Sequence, residues 1–491
     1  MTSSNDAPSS WGVLATQAMV ASGHPLAAAA ARDMLRAGGS AVDAAIAADA
    51  VMGVVEPMAT GVGGDLMAML VQPDGTVLAY NGSGRAPQAL DLDAVRALPQ
   101  GRIPERHVLS VTTPGAVRGW SDLHARHGRL PLARLLAPAI EAARHGYPLG
   151  AVAAREWAWF DGVLHADPVT AALYRAGRPP QAGERLSNPA LASVLAAIAE
   201  GGAAAFYEGA PARAAAAACR ARGGVLAAAD FARHAGEFVT PLAARFRGLT
   251  IHECPPNTHG LAVLSALDEL DALALEADDP ATTLAAVEAM GRGLARAKAT
   301  VADPAGNTVC TVVVDASGLA VTLMSSLFKR FGSGIGVAGC GFVLQNRGFG
   351  FAAPGQLNGA APGRRPYHTV IPAAATCEGR FHAAFGVVGG AMQPQGHLQL
   401  LLRVAAQGMP LQQALDAPRW RLESARELAI EPGMPAALAD ALRAAGYAEP
   451  QGAGELGGRS DFGGAQAVLR LPDGLLAGAS DRRKDGCALG L

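Results

Sequence analysis

Runs of like charge, paired cysteines and long apolar stretches are all missing from this sequence. The formal net charge is −2 and no basic run occurs, so we do not expect the strongly basic face of a nucleic-acid-binding protein. No apolar stretch reaches the roughly 20 residues that span a bilayer. The N-terminal residues MTSSNDAPSSWG contain no basic segment of the kind that opens a secretory signal, so none is expected.

Cysteine spacing excludes the common metal and redox motifs. No CxxC pair occurs, so neither a zinc site nor a redox pair is predicted. His24, His368 and His397 likewise lack metal-ligand spacing, and we expect no metal and no cofactor. We interpret the cysteines as reduced thiols of a cytoplasmic protein rather than as a disulfide framework. They stand far apart, at positions 219, 254, 310, 340, 377 and 487.

The composition is that of a thickly layered globular protein. Half of the 491 residues are hydrophobic, and charged residues make up 17%, below the ~25% typical of soluble proteins. At about 150 residues per domain the length suggests three domains, but large layered sandwiches exceed that size. The 60 glycines favour close backbone packing, although a GC-rich genome would produce the same bias.

Local patterns predict helices and strands mixed without regular βαβ repetition. Residues 26–52 read as two Ala-rich helices broken at Gly38-Gly39, with Ser40 as N-cap of the second. Hairpins are expected around the turn at 73–75 and over 307–326. This mixture predicts an α+β layered sandwich. Further helices are expected at 130–145, 188–200, 210–222, 281–300, 393–406, 410–416 and 434–445.

Eight stretches, in order along most of the chain, resemble the γ-glutamyltransferase family. The longest are GHPLAAAAARDMLRAGGSAVDAAIAADAVMGVVEPMATGVGGD and NTVCTVVVDASGLAVTLMSSLFKRFGSGIGVAGCGFVLQN. Any one stretch would be weak evidence, but the ordered set is specific. The matching ranges are 23–65, 111–120, 130–149, 206–234, 255–264, 307–346, 386–400 and 414–420.

The resemblance implies an N-terminal-nucleophile hydrolase with a four-layer αββα sandwich. In that family a proenzyme cuts itself before a Thr at the head of a strand. The match assigns this nucleophile to Thr308 and the cut to the Asn307–Thr308 bond. A large subunit of residues 1–307 and a small subunit of 308–491 would then form one αββα unit. Whether two such units form a dimer stays open.

The chemistry of an N-terminal Thr agrees with that implication. A Thr hydroxyl is a poor nucleophile at neutral pH and needs a base close by. The α-amine of a chain that begins at Thr308 has a pKa of about 7.7–8.0, so it is a suitable base. Thr308 would attack an amide carbonyl to form an ester, which water or an acceptor amine then resolves. The alternative is a Thr that only opens a β-hairpin.

Two further sites match the family's catalytic machinery. Gly389-Gly390 matches its oxyanion hole, where two backbone N–H groups approach a substrate oxygen without interfering side chains. Ser326, eighteen residues after Thr308, falls where the family has a hydroxyl residue near the nucleophile. The alternatives are a strand-ending turn and an ordinary strand serine. GVGGD at 61–65 lacks the features of a phosphate loop and reads as a close backbone approach.

The residues that recognise a γ-glutamyl group in the family are not retained. Ser83 stands where the family has the Arg that binds the substrate carboxylate. Phe328 and Gly350 replace the Asn and Asp that hold the substrate ammonium. A buried ammonium without a partner costs several kcal/mol, so glutathione is expected to be a poor substrate.

The pocket motifs instead resemble the oxamate amidohydrolase branch of the family. These motifs are NGSGRAP at 81–87, LQNRG at 344–348 and RRPYHT at 364–369. The resemblance implies a small anionic amide, since Arg binds a carboxylate in bidentate fashion. Glutathione hydrolysis or γ-glutamyl transfer, acylase action on a larger amide, and a catalytically silent binding protein remain as alternatives. The candidate substrate-binding residues are Arg85, Asn346, Arg347, Tyr367 and His368.

Overall fold

The computed structural model describes residues 11–174, 178–301, 307–450 and 462–491. The strands described in these ranges are β1 (Val13–Ala15), β2 (Met19–Ser22), β3 (Asp65–Val71), β4 (Val77–Asn81), β5 (Tyr147–Pro148), β6 (Arg185–Leu186), β7 (Glu237–Val239), β8 (Leu242–Phe246), β9 (Leu249–Glu253), β10 (Asn307–Val314), β11 (Ala320–Phe328), β12 (Gly336–Val337), β13 (Phe342–Val343), β14 (Ala373–Cys377), β15 (Arg380–Val388), β16 (Trp420–Leu422), β17 (Leu428–Ile430), β18 (Gly464–Arg470), β19 (Leu476–Ser480) and β20 (Cys487–Gly490).

The helices lie mostly in long blocks between the strands. They are α1 (Pro25–Arg36), α2 (Ala41–Val55), α3 (Leu92–Arg96), α4 (Ala116–His127), α5 (Leu132–His145), α6 (Ala151–Trp159), α7 (Asp161–His165), α8 (Pro168–Leu173), α9 (Pro189–Tyr207), α10 (Ala210–Arg220), α11 (Ala228–Ala232), α12 (Gly260–Leu270), α13 (Pro280–Thr300), α14 (Met392–Leu401), α15 (Leu411–Asp416) and α16 (Ala436–Ala444). Short 3₁₀ segments occupy Pro99–Gly101, Val108–Ser110 and Arg347–Gly350, and a π-helical turn at Leu402–Ala406 follows α14.

Two seven-stranded antiparallel sheets form the centre of the protein. Sheet I has the order β1-β19-β18-β15-β14-β9-β8, and sheet II has the order β20-β2-β10-β11-β3-β4-β7. Each sheet takes strands from both sides of residue 307. A cut at that position would therefore leave two chains that still share both sheets.

Alternation along the strands creates three apolar layers. In β11, Val321 and Leu323 pack with the Ala-rich helix α2, whereas Met324 faces the other sheet. The middle layer joins sheet II residues such as Val312 to sheet I residues such as Val468. The outer face of sheet I packs on α12, α13 and α14. Successive strand residues point to opposite faces, so this is the predicted α+β sandwich with layers in the order αββα.

The predicted break between the first two helices is confirmed. Ser40 caps α2: its hydroxyl accepts from the Asp43 N–H at 3.1 Å, and the Asp43 carboxylate accepts from the Ser40 N–H at 2.9 Å. The same carboxylate oxygen accepts from the Arg129 N–H at 2.8 Å. This capping box sets where α2 begins and so fixes its register against sheet II.

Helix α9 extends further than the predicted 188–200. It reaches Tyr207 through a kink at Gly202, where φ is +61°. By length and composition alone it is apolar enough to cross a membrane, so the expectation of no such stretch was wrong. Its buried residues, among them Leu195 and Phe206, pack into the helical layer on sheet II. Its apolar face therefore belongs to the core of the fold.

Candidate active site

Thr308 lies at the head of β10, in the middle of sheet II. The pairing of β10 with β11 shifts between Asn307↔Phe328 and Val309↔Ser325, and Thr308 occupies this irregularity. Its side chain is fully buried, and its Oγ1 accepts a hydrogen bond from Gln393 Nε2 at 2.8 Å. Gln393 Oε1 accepts from the Ile371 N–H at 3.0 Å. The hydroxyl is thus held in one place by a side chain from α14.

The predicted oxyanion glycines form the turn from β15 into α14. Gly389 and Gly390 have φ values of +116° and +61°, which disfavour any other residue. Their carbonyls accept from the N–H groups of Met392 (3.1 Å) and Gln393 (3.0 Å) and so open the helix. Gln393 therefore connects the Thr308 hydroxyl to this turn. The N-terminal end of α14 also carries the partial positive charge that stabilises an oxyanion.

A buried His–Glu pair fixes the end of β15. Pairing with β14 stops at Ala373↔Phe385, so Val387 lies beyond the last β14–β15 pair, although it still pairs with Ala465 of β18 on the other side. Its N–H donates instead to His397 Nε2 at 3.1 Å, and His397 Nδ1 lies 2.7 Å from Glu253 Oε1. Burial lowers the pKa of His397 to about 3 and raises the pKa of Glu253 well above its ordinary value. A neutral imidazole therefore holds the strand two residues before Gly389.

Ser326 lies beside Thr308 and belongs to a buried polar cluster. Its Oγ accepts from the Phe328 N–H at 2.9 Å and from Arg347 Nη2 at 3.1 Å. Arg347 is fully buried, and its Nη1 donates to Thr369 Oγ1 at 3.2 Å. The predicted Ser326 and Arg347 are thus in direct contact next to the head of β10.

Asp65 completes this cluster from the strand on the other side of Ser326. It pairs with Ser326 across β3 and β11, and its Oδ1 accepts from the Gly84 N–H and from Gln345 Nε2, both at 2.9 Å. Its Oδ2 lies 3.3 Å from His368 Nε2 and 3.9 Å from Arg347 Nε. Strands β10, β11 and β3 therefore carry Thr308, Ser326 and Asp65 in a row.

The charge states within the cluster follow from burial and from this arrangement. Burial alone would raise the pKa of Asp65, but His368, Arg347 and Gln345 outweigh it and hold that pKa below its ordinary value. Burial lowers the pKa of Arg347 to about 9, against the opposing effect of Asp65. Burial and Arg347 lower the pKa of His368 to about 4. At neutral pH the cluster holds one guanidinium, one carboxylate and a neutral imidazole.

The other residues predicted to contact the substrate either lie away from this cluster or use their side chains to contact other parts of the protein. Asn346 donates to the Glu105 carbonyl at 2.8 Å and accepts from the Lys329 N–H at 3.1 Å. Tyr367 is buried, with its ring edge-on to His259. Arg85 is exposed, donates to the Gly363 carbonyl at 3.2 Å, and lines an open surface pocket of 610 Å³. The structure thus unites Ser326, Arg347 and His368 but not Arg85.

The positions that depart from the family pattern have structural consequences. Phe328 adopts φ +79° and places its ring 4.1 Å from the Arg347 guanidinium, so it supplies an aromatic face where a polar amide is expected. A Cβ on Gly350 would lie 2.9 Å from the Tyr367 carbonyl oxygen, so this backbone has no room for an Asp. No carboxylate for a substrate ammonium stands at position 350.

Asp65 and Gln393 are site residues that sequence reasoning missed. Asp65 ends the GVGGD segment, which is interpreted from the sequence as a close backbone approach. The structure places Asp65 opposite Ser326 in the pairing of β3 with β11. Gln393 stands three residues after Gly390, inside a family-like block. Among the described residues no group of three or more His, Cys, Asp or Glu side chains is arranged to hold a metal ion. All six cysteines carry free thiols.

Comparison with known proteins assigns the family. The gamma-glutamyltranspeptidase model matches residues 27–310 and 302–491. The chain belongs to the γ-glutamyltranspeptidase family. Its αββα sandwich is accordingly of the N-terminal-nucleophile hydrolase type, and it is an enzyme of a family of hydrolases and acylases.

Three relatives cover nearly the whole chain. An oxamate amidohydrolase proenzyme from Klebsiella pneumoniae subsp. pneumoniae is 34% identical over 97% of this chain and 99% of that protein. A glutathione hydrolase-like YwrD proenzyme from Bacillus subtilis is 32% identical over 98% of this chain and 99% of that protein. The crystal structure of a cephalosporin acylase from Bacillus halodurans superimposes with a TM-score of 0.89 at 34% identity, covering 98% of this chain and 96% of that one.

Replacing Gln393 tests whether its hydrogen bond to Thr308 Oγ1 contributes to activity. We expect Gln393→Met to remove the donor to Thr308 Oγ1 and to lower the rate of amide hydrolysis about 10-fold, the value of one hydrogen bond of ~1.4 kcal/mol. Activity per folded molecule is the measurement. Gln399→Met is the matched control, since Gln399 is buried on the same helix and its side chain bonds to Gln395 and Trp420 rather than to Thr308. Equal activity loss in both variants would contradict the assignment.

Stability should fall steeply below pH 6.5. Four buried histidines have pKa values lowered mainly by burial, so between about pH 4 and 6.5 each of them binds a proton in the unfolded chain but not in the folded one. Each histidine then removes about 1.4 kcal/mol of unfolding free energy per pH unit as the pH falls. Denaturant melts at pH 7.5, 6 and 5 measure this loss. The four are His234 and His368, each with a pKa of about 4, and His259 and His397, each with a pKa of about 3.

Two variants distinguish the loss of stability caused by these histidines from the loss caused by other groups that are protonated at low pH. His397→Gln should reduce the loss between pH 7.5 and 5, whereas His145→Gln, at an exposed helix position, should retain all of it. A melting midpoint that does not change between pH 7.5 and 5 would argue against buried neutral imidazoles.

Proposed function

We propose that this chain is a proenzyme that cuts itself at Asn307–Thr308 and then hydrolyses a small anionic amide through an ester on Thr308. The observation that supports it most is the position of the Thr308 hydroxyl. Thr308 Oγ1 accepts from Gln393, which follows the Gly389-Gly390 turn, and its strand pairs with the strand that carries Ser326, which contacts Arg347. A nucleophile, a candidate oxyanion site and a cation are thus linked through one strand pair and one helix end.

In the mature enzyme the α-amine of Thr308 takes the hydroxyl proton. Thr308 Oγ1 attacks the substrate carbonyl, and the carbonyl oxygen becomes an oxyanion beside the Gly389-Gly390 turn. The protonated α-amine then gives its proton to the leaving ammonia, which produces an ester on Thr308. Water, activated by the same amine, hydrolyses the ester.

The buried charges favour a substrate that carries a carboxylate and no ammonium. Arg347 keeps its positive charge at neutral pH, and its two terminal nitrogens point to Ser326 and Thr369. A carboxylate next to the scissile amide would bind this guanidinium. Phe328 and Gly350 offer no negative charge to an ammonium. Oxamate has this pattern, and the 34% identical oxamate amidohydrolase proenzyme supports the same choice.

Acylase action on a larger amide is the second candidate. It is supported by the equal identity to the cephalosporin acylase structure. The aromatic surface of Phe328 and Phe349, whose rings lie 6.0 Å apart beside Arg347, suits an apolar acyl group.

Self-cleavage is tested by Thr308→Ala. We expect the wild-type protein to give two bands on a denaturing gel and a new N-terminus reading Thr-Val-Cys-Thr, and Thr308→Ala to remain one chain. Thr311→Ala, three residues along the same strand, is the control and should be cut normally, because its hydroxyl bonds to Ser22 rather than to the groups around Thr308. A folded wild-type protein that stays as one chain would refute the proposal.

Substrate choice is tested by comparing three amides. Ammonia release from oxamate should exceed cleavage of a γ-glutamyl anilide and of acetamide, a neutral amide of similar size. Arg347→Met should lower kcat/KM for oxamate about 10²-fold, as expected for a lost charged hydrogen bond of ~3 kcal/mol, and leave acetamide turnover little changed. Preference for a β-lactam side-chain amide over oxamate would favour the acylase instead.

A further inference from the structure

The first cut needs a base that the mature enzyme does not need. In the unbroken chain the Thr308 nitrogen belongs to the Asn307–Thr308 peptide bond, so its lone pair is delocalised and it does not accept a proton. The α-amine becomes available only after the cut. Another group must therefore take the Thr308 hydroxyl proton during self-cleavage.

A small cavity that has polar groups in part of its lining adjoins Thr308. Its volume is about 10 Å³, at the lower limit for holding a single water. Three of its walls are polar side chains, those of Glu56, Gln466 and Lys484. Gln466 Oε1 is buried and has no hydrogen-bond partner within the part of the chain that the structure describes. A water needs two to four polar partners, and these walls supply them.

The fold keeps this space open at the head of β10. The pairing of β10 with β2 begins only at Thr311↔Ser22, so the first residues of β10 have no neighbouring strand on that side. Gly23 and Gly464 line the gap. A Cβ on Gly464 would lie 2.7 Å from Lys484 Cγ, and one on Gly23 would lie 3.7 Å from Glu56 Oε1. A side chain at position 464 would displace Lys484, whereas one at position 23 would press on Met52, whose Cε would lie 3.3 Å from the new Cβ.

Glu56 is the acidic group of the cavity and is set within a network of buried charges. It follows the last residue of α2 and is 5% exposed. Lys484 Nζ lies 3.3 Å from Glu156 Oε1, and Arg330 Nη2 lies 2.5 Å from Glu156 Oε2. Burial raises the pKa of Glu56, as do Glu156 and Asp485, while Lys484 and Arg330 lower it. The net effect is a raised pKa, which makes this carboxylate a better base than an exposed one.

We propose that the cavity binds one water and that Glu56, acting through this water, is the proton acceptor for Thr308 during self-cleavage. This inference rests on the proposed function, because it concerns the cut at Asn307–Thr308. It assigns Glu56 a role that the mature enzyme, with its α-amine, does not require.

The Thr308 hydroxyl proton passes to the water, and a water proton passes to the Glu56 carboxylate. Thr308 Oγ1 bonds to the Asn307 carbonyl carbon. The bond from that carbon to the Thr308 nitrogen breaks, and the nitrogen takes the proton back from Glu56 through the water. A second water then hydrolyses the resulting ester to the Asn307 carboxylate and the Thr308 hydroxyl, which leaves a free α-amine.

The test follows the uncut fraction with time after a pulse of cell-free synthesis, from pH 5 to 9, on denaturing gels. We expect wild-type cleavage to rise with pH and then to level off. Glu56→Gln should cut about 10²-fold more slowly at the plateau and lose this rise, the typical effect of removing a general base. Glu56→Asp, which keeps the carboxylate within reach of a water, should cut faster than Glu56→Gln.

Asp49→Asn is the matched control. Asp49 is also buried on α2 and ionisable, but it bonds to Ser325 and Trp120 and does not line the cavity. It should be cut at the wild-type rate. If Glu56→Gln is cut like wild type, or if Asp49→Asn is slowed equally, the role of Glu56 is refuted. Wild type that is never cut would refute the proposed function itself.

Lys484→Met distinguishes a proton-accepting role of Glu56 from a purely structural one, because only the former predicts a change in the pH midpoint of cleavage. Lys484 lowers the pKa of Glu56, so its loss raises that pKa and shifts the rising limb of the cleavage profile to higher pH. An unchanged midpoint in a variant that still folds, as judged by its circular-dichroism melt, would overturn the assignment of that limb to Glu56.

Discussion

The hydrogen bond from Gln393 to Thr308 Oγ1 joins the two sheets at the point where the chemistry is proposed. Thr308 belongs to β10 in sheet II, whereas Gln393 begins the helix that follows β15 in sheet I. Because Gln393 also accepts from the Ile371 N–H, neither of its amide ends turns freely. The distance between hydroxyl and glycine turn is therefore set by the packing of the middle apolar layer, not by a flexible loop. Close-packed layers of this kind resist displacement.

The polar residues in a row on β10, β11 and β3 are Thr308, Ser326 and Asp65. This row helps to explain why the buried cation of Arg347 is stable in the core. A fully buried guanidinium is costly unless it is paired and hydrogen-bonded. Arg347 meets Asp65, Ser326, Thr369 and the face of Phe328, so part of that cost is offset. Its remaining need for an anion is what an anionic substrate would satisfy. The same arrangement disfavours a zwitterionic γ-glutamyl group, because the ammonium would meet Arg347 without a carboxylate at position 350.

Residues close in sequence were the predictable part of this site, and residues from separate strands were not. The α1–α2 break, the β3–β4 hairpin and the β10–β11 hairpin follow from local turn and capping signals, and all three are confirmed. Ser326 follows Thr308 across a single hairpin, so its proximity was accessible from sequence. Asp65 and Glu56 come from elements about 250 residues earlier, and their position depends on strand order and on where the β2 pairing stops. The short strand β2 carries little local signal, yet it is the neighbour of β10 on the side opposite β11.

Each sheet contains strands from both sides of residue 307. The proposed cut would therefore change the chemistry at Thr308 and leave the strand pairing intact. A break at residue 307 frees one nitrogen, while strands from both sides of the break remain paired within sheet I and sheet II. The energy that positions Thr308 comes from this pairing and from the three apolar layers, so it persists after the bond opens. What changes is the electronic state of a single atom, from a delocalised amide to a basic amine. The proposed cut would need two different proton acceptors at the same hydroxyl, one before the cut and one after it. In the proposed scheme the carboxylate beside the cavity is the first acceptor and the new amine is the second.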